Sequence, residues 1–436
     1  MDKLGPSPFV WLDFDAEGKI GPHMAEDFQD LVASSGGTDL VIMSHGWKNT
    51  KQDAKTLYGT LWGNTILDLP GGLAEATLIA GVVWPAKKYA TDFDQEAVAL
   101  QTNGARAVHG GGAATSLSQE QFEAVLEDLV DLFGARAGAV IGAAQAAQHS
   151  INVGTAKGLM AAARNLLASD PIPDDPELSP EIGRIQRAAA DPTRAQQVIQ
   201  SMAIPPRFKR SDIDGHAEGL GDFVAGVVQG PRAAVARFLN QLTYFEMKKR
   251  AGIIGDSLAR NVASVLRPTK ALRVHLVGHS FGARLVTAAA NAWQIRENVD
   301  LFSLTLLQAA FSHNGMAKEV RPGMPGAFHD VVGKLSGPIS ITHTHNDSAC
   351  TIAYPLASRL ARDIAEALGG ADDKFGAMGA NGPQLLTEAV VVNDNSMTFR
   401  PAKTKVNSFL GDGFIASHND VANRKCGELL AKTLTA

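Results

Sequence analysis

Short apolar runs alternate with helix-spaced segments at both ends of this chain. PFVWLDFD, within residues 8–20, reads as a short strand. TDLVIMS at 38–44 is a continuous apolar run after a Gly-Gly turn, and ATLIAGVVW at 76–84 is another, stopped by Pro85. Such runs suit strands buried on both faces. A helix is predicted over 50–67. Strands alternating with helices predict βαβ units and a parallel sheet. The pattern resumes late in the chain. Strands are predicted at 271–277 (ALRVHLV), 301–311 (LFSLTLLQAAF), 338–343 (PISITH) and 388–392 (EAVVV), the last being taken as the final strand. Helices are predicted at 242–266, 283–293, 351–368 and 421–433. Gly252 and Gly255 interrupt the first of these.

The middle of the chain reads differently. It is Ala-rich and strand-poor, and Phe122, Val125, Leu126, Leu129, Val130, Leu132 and Phe133 keep near-helical spacing. Ser118 followed by Gln121 forms a cap pattern for that helix. A Pro-rich piece at 170–180 reads as a hinge. Helical pattern runs over 181–203 until Pro205-Pro206. The expected architecture is therefore an α/β fold, with a mostly parallel central sheet flanked by helices. Its core comes from residues 1–106 and 240–436, and 107–239 form an all-helical insertion of four or five helices, a cap or lid.

Composition narrows the function classes. The chain has 436 residues, 45% hydrophobic and 19% charged, which excludes wholesale disorder and fibrous repeats. A net charge of -5 argues against a nucleic-acid footprint, which needs a basic face. Two cysteines, Cys350 and Cys426, exclude a disulfide scaffold and a Cys-rich zinc site. They read as isolated thiols in a reducing compartment. The N-terminus lacks signal-peptide order. The longest uncharged stretch, 137–156, carries too many polar residues for a membrane span. A cytoplasmic protein without stable membrane insertion is expected.

The most informative stretch is VHLVGHSFGARLV at 274–286, with the G-x-S-x-G pattern Gly278-His279-Ser280-Phe281-Gly282. The pattern alone is weak, but an apolar strand leads in and a periodic helix leads out. A sharp strand-to-helix turn needs small neighbours if the serine Oγ is to project clear. The helix beyond aims amide donors and a positive dipole at the reacting centre.

On this motif and its setting the chain resembles the α/β-hydrolase superfamily, of the serine esterase and lipase kind. The resemblance covers about 8–105 and 240–436. It implies the chain order nucleophile, acid, histidine, and hydrolysis of a small-molecule ester without metal or organic cofactor. Ser280 is then the nucleophile. Of 12 histidines only His418 lies beyond the final predicted strand, so it is the implied general base. Asp347, just past PISITH, is the best-placed acid, with Asp330 and Asp394 as runners-up. The amides of Phe281 and Trp47 are the implied oxyanion donors, Trp47 on the loop Ser44-His45-Gly46-Trp47 after the third strand. His45, Gly46 and His279 are placed at the substrate. HGGG at 109–112 resembles another oxyanion motif, but it follows the fourth strand region and reads as a hinge.

Other readings stay open. The same triad serves amides and thioesters, and a hydrolase scaffold can be a non-catalytic binding module. His343 and His345 have H-x-H spacing, which on a strand puts both imidazoles on one face, so a metallohydrolase is a further alternative. Trp47, Trp84 and Phe281 are candidates for either pocket lining or core.

Overall fold

The computed structural model describes residues 2–47, 49–86, 115–168, 185, 188–203, 228–347, 349–350, 376–392 and 400–436. The HGGG segment, the Pro-rich piece at 170–180, Pro205-Pro206, the helix predicted at 351–368 and Asp394 lie outside them. The chain divides into two compact units. One comprises Met1–Lys88, Met247–Thr351 and Gly376–Ala436, the other Tyr89–Glu246 and Ile352–Phe375. The sequence boundary at 239/240 falls seven residues short of this division, inside one continuous helix, Pro231–Ser257. Its proline stands at the first helical position, where the missing N–H has no intrahelical partner to lose.

The first unit is α/β with a mostly parallel sheet. In chain order its strands are β1 (Asp2–Leu4), β2 (Ser7–Asp13), β3 (Asp39–Ser44), β4 (Thr77–Val83), β7 (Leu272–His279), β8 (Val299–Leu307), β9 (Ile339–His343), β10 (Ala389–Val392) and β11 (Val406–Leu410). The second unit holds the short parallel pair β5 (Thr115–Ser116) and β6 (Val228–Gln229). The order across the main sheet is β1-β2-β4-β3-β7-β8-β9-β11-β10. Only the β1–β2 pair is antiparallel among the described strands.

Val41 and Met43 of β3 bury into one apolar layer with Tyr58 and Trp62 of helix α2 (Lys51–Thr65) and with Leu430 of the closing helix Arg424–Leu434. Leu40 and Ile42 point to the opposite face by strand alternation and are equally buried. A strand covered on both faces is what a continuous apolar run encodes. Thr50 caps α2 in a reciprocal box with Asp53, which sets where the helix starts.

Among the elements that the sequence pattern does not predict are three in the first unit. Helix α1 (Met24–Ser35) starts at His23 without a side-chain cap, so no start signal marks it. Strand β1 is a three-residue edge. Strand β11 carries Asn407 and Ser408 fully inside, where polarity hides the strand pattern. Asn407 Nδ2 donates to the carbonyls of Ile339, Ala402 and Lys405, so its burial leaves no donor wasted. The predicted final strand at 388–392 is therefore followed by another, and β11 lies between β9 and β10 in the sheet.

The second unit is helical among its described residues, apart from the β5–β6 pair. Its helices include Gln119–Phe133, Gly138–Ala147, Val153–Ala168 and Pro192–Ser201. Ser118 and Gln121 form the expected capping box. Phe122, Val125, Leu126, Leu129 and Phe133 are buried, whereas Val130 is exposed.

Candidate active site

The carboxyl ends of five adjacent parallel strands, β3, β7, β8, β9 and β11, carry the site. Ligands in open α/β sheets bind at such ends. β7 runs into Ser280, and helix α8 (Phe281–Ala292) starts at the next residue. Ser280 holds φ 57° and ψ -125°, a backbone region costly for a side chain by about 1–3 kcal/mol. The turn is pinned on both sides. Ser280 N–H donates to Leu307 O at 3.0 Å, and Ala310 N–H donates to Ser280 O at 3.2 Å.

Both glycines of the motif are required by space. A Cβ at Gly278 would overlap the Gly282 carbonyl and the Ala283 backbone. One at Gly282 would overlap the carbonyl oxygens of Ser44 and His45. Helix α8 thus presses directly against the end of β3. A Cβ at Gly46 would lie 2.6 Å from Ser280 Cβ, so the β3 loop crosses tight against the serine.

Ser280, His418 and Asp347 meet. Ser280 Oγ lies 2.8 Å from His418 Nε2, and His418 Nδ1 lies 2.8 Å from Asp347 Oδ2. Asp347 is fully buried, and its Oδ1 accepts the Cys350 amide at 2.9 Å. Burial pushes the Asp347 carboxyl up. The adjacent His418 and the Cys350 amide outweigh this and hold it below its ordinary value. The serine side is a hydroxyl against a bare imidazole nitrogen, and the acid side is a carboxylate against an N–H. This is the arrangement in which a hydroxyl can lose its proton to the ring while the carboxylate stabilises the imidazolium.

Two loops are tied together to make this geometry. Asp412, past β11, accepts from Thr344 Oγ1 at 2.7 Å, from the His345 amide at 2.9 Å and from His345 Nδ1 at 2.8 Å. Asn346 Nδ2 donates to the carbonyls of Asp412 and Ile415. The acid loop is thereby clasped to the histidine loop.

The remaining expected site residues fall as follows. Trp47 and Phe281 meet edge to face at 5.9 Å between centroids, beside Ser280 in the chain and across the β3 loop. Asn49 Nδ2 donates to the carbonyls of Gly46 and Trp47 and braces that loop. His45 and His279, expected at the substrate, are instead buried. His45 N–H donates to Tyr58 Oη, which in turn donates to Val82 O. The His45 ring stacks on Trp84 and donates from Nδ1 to Gly46 O, and burial holds it neutral, down to about 4. Trp84 is core. His279 Nε2 donates to the His418 carbonyl at 2.8 Å, and burial, helped by the neighbouring His418 ring, takes it to about 3. It thereby ties the end of β7 to the backbone of the His418 loop. Asp330, the alternative acid, is exposed and paired with His329.

The H-x-H pair is separated by its partners. His343 is buried against Ser408 Oγ at 3.1 Å, and His345 is half exposed on Asp412. Asp347, Cys350 and His418 bring donor atoms within 4.8 Å of one another, close enough to share a cation. Burial raises the Cys350 thiol well above its usual value, and a metal ligand must be thiolate. The Asp347–His418 bond already occupies the other two donors, so the cluster fits a hydrogen-bonded chain better than a cation site. Cys350 and Cys426 are both free and buried.

A second Ser-His-Asp set lies deeper in the sheet. His275 Nδ1 is 2.8 Å from Ser303 Oγ, and His275 Nε2 is 2.9 Å from Asp39 Oδ1. All three are buried, and Ser303 lies inside strand β8, next to a shift in its register with β7. Ser303 has no solvent exposure in this structure. The strained turn and the partial opening at His418 distinguish the Ser280 set from it.

Sequence reasoning missed Gln308, Asp412 and Tyr58. Gln308 had a signal, a polar residue ending the apolar run LFSLTLL. No family model, curated protein or solved structure matches this chain.

Proposed function

We propose that this chain is a serine hydrolase of the α/β-hydrolase type, with the helical segment as its insertion, that cleaves carboxylic esters through an acyl-enzyme. The observation that carries this reading is Ser280, held on a strained strand-to-helix turn with its Oγ 2.8 Å from His418 Nε2, in a chain of hydrogen bonds that ends on buried Asp347. The order nucleophile, acid, histidine along the chain supports it. No helix among the described residues is long and apolar enough to cross a membrane.

In this mechanism Ser280 Oγ attacks the ester carbonyl as His418 Nε2 takes its proton. Asp347 holds the Nδ1–H tautomer and stabilises the imidazolium. The amides of Phe281, at the start of α8, and of Trp47 receive the developing oxyanion. His418 returns the proton to the leaving alcohol, and the acyl group stays on Ser280. Water, activated by the same imidazole, then releases the acid and restores the serine. Hydrolysis of p-nitrophenyl butyrate tests the reading. Asp347→Asn should lower turnover about 10⁴-fold by allowing the wrong tautomer. Comparing matched ester, thioester and amide substrates ranks the acyl class. Hydrolysis that survives Ser280→Ala would reject the mechanism.

A further inference from the structure

Gln308 stands one residue past β8, buried, with φ 47°. A glutamine in the left-handed region is uncommon, and such strain persists where surroundings over-determine it. Here they do. A Cβ at Gly379 would lie 2.5 Å from the Gln308 carbonyl carbon, so the neighbouring turn packs directly on this backbone. Gln308 N–H donates to Thr342 Oγ1 at 3.2 Å, and Thr342 Oγ1 donates to Gln308 Oε1 at 2.9 Å. Fixing Oε1 as the acceptor fixes Nε2 as the donor. Nε2 then donates to Gly379 O at 3.0 Å and to Asp347 Oδ2 at 3.2 Å.

That oxygen is the one that accepts from His418 Nδ1. Leu307, just before it, and Ala310, two residues after it, hold the serine turn, since Leu307 O takes the Ser280 amide and Ala310 N–H reaches Ser280 O. The segment 307–310 therefore touches the serine turn through its backbone and the acid through its one polar side chain.

We infer that Gln308 is a positioning residue for the hydrolysis proposed above, aligning Asp347 Oδ2 on His418 and locking that alignment to the Ser280 turn. The inference rests on the serine-hydrolase reading. Gln308 does not touch the reacting atoms. Its amide directs the carboxylate lone pair toward Nδ1 and disperses part of the negative charge. The groups around His418 are Asp347, Ser280, the neutral ring of His279 and the Cys350 thiol.

The test uses the full chain, p-nitrophenyl butyrate and a fluorophosphonate probe. Gln308→Leu should lower kcat about 10- to 100-fold with KM changed less than about threefold, because sub-ångström misplacement of a catalytic group has effects of that size. Gln308→Gly relaxes the strained backbone and removes the amide, and should lose as much activity. A role in relieving or holding the backbone strain alone would leave this variant active. Gln308→Glu sets a second carboxyl against Asp347. It should move the low-pH limb of kcat/KM upward by about one pH unit, since added negative charge favours the imidazolium. Thr342→Val removes both hydrogen bonds to Gln308, frees its side-chain amide to turn, and should lower kcat about 3- to 10-fold. Wild-type kcat in the Leu, Gly and Val variants, with an unmoved limb in the Glu variant, would overturn the inference alone. Wild-type protein that fails to label at Ser280 would overturn the hydrolase reading and this inference with it.

Discussion

Gly282 has no room for a methyl group. Its Cβ would enter the carbonyl oxygens at the end of β3, and neither backbone can yield without moving α8. Gly282→Ala should therefore destabilise the fold by several kcal/mol, as overpacking against rigid backbone does, seen as a lowered urea midpoint. Gly46→Ala differs, because its Cβ would meet the Ser280 side chain at 2.6 Å. It should lower esterase turnover at least about tenfold, the cost of displacing an oxyanion donor, with a smaller loss of stability. Equal urea midpoints for wild type and Gly282→Ala would contradict the packing account. At this scale much was legible in the sequence. Ser280, Asp347 and His418 are brought together as expected, because the motif fixes the serine and chain order leaves few choices for the others. His45 and His279 were not legible as supports. Their burial depends on Trp84 and on the His418 carbonyl, partners that no local pattern encodes.

The triad depends on elements that are far apart in sequence. The Asp412 carboxylate ties the β9 loop to the β11 loop through Thr344 and His345, beside the Asn346 bridge. Asp412→Ala leaves those donors to water and loosens both catalytic loops. It should lower kcat about tenfold or more, since small misplacements of acid and base are costly, and should leave the far-UV spectrum unchanged. Unaltered kcat would remove Asp412 from the account. Thr50→Ala breaks the α2 cap and should cost about 1 kcal/mol in stability without touching catalysis. The elements themselves were legible wherever burial matched hydrophobicity, as in β3, β4 and β7. They were not where a strand buries polar residues, as β11 does, or where a helix lacks a capping side chain, as α1 does. Gly255 reads in the sequence as an interruption of the long helix. Its Cβ would overlap Leu285 O, so the glycine permits close packing against α8 instead of breaking the helix.

The whole molecule holds several imidazoles neutral inside. Burial takes His45 and His343 to about 4 and His279 to about 3, and it lowers His275 as well. The unfolded chain binds these protons near pH 6.5, so each such group favours folding above that pH and loses its contribution as pH falls toward its folded value. Stability should therefore decline steadily between about pH 6.5 and 4, before carboxylate protonation adds to it. Asp39 and Asp347, held below 3.8, add their loss in a lower window. Urea midpoints at pH 7.5, 5.5 and 4.5 measure this, and a flat profile down to pH 4.5 would contradict it. Two Ser-His-Asp sets lie among the described residues, and the proposed function assigns the reaction to the one at Ser280. The most direct measurement of that claim is reaction of the intact protein with a fluorophosphonate probe, followed by peptide mapping. The account predicts labelling at Ser280, none at Ser303, and a rate lowered by orders of magnitude in His418→Ala. Folded protein that stays unlabelled at Ser280 would contradict it.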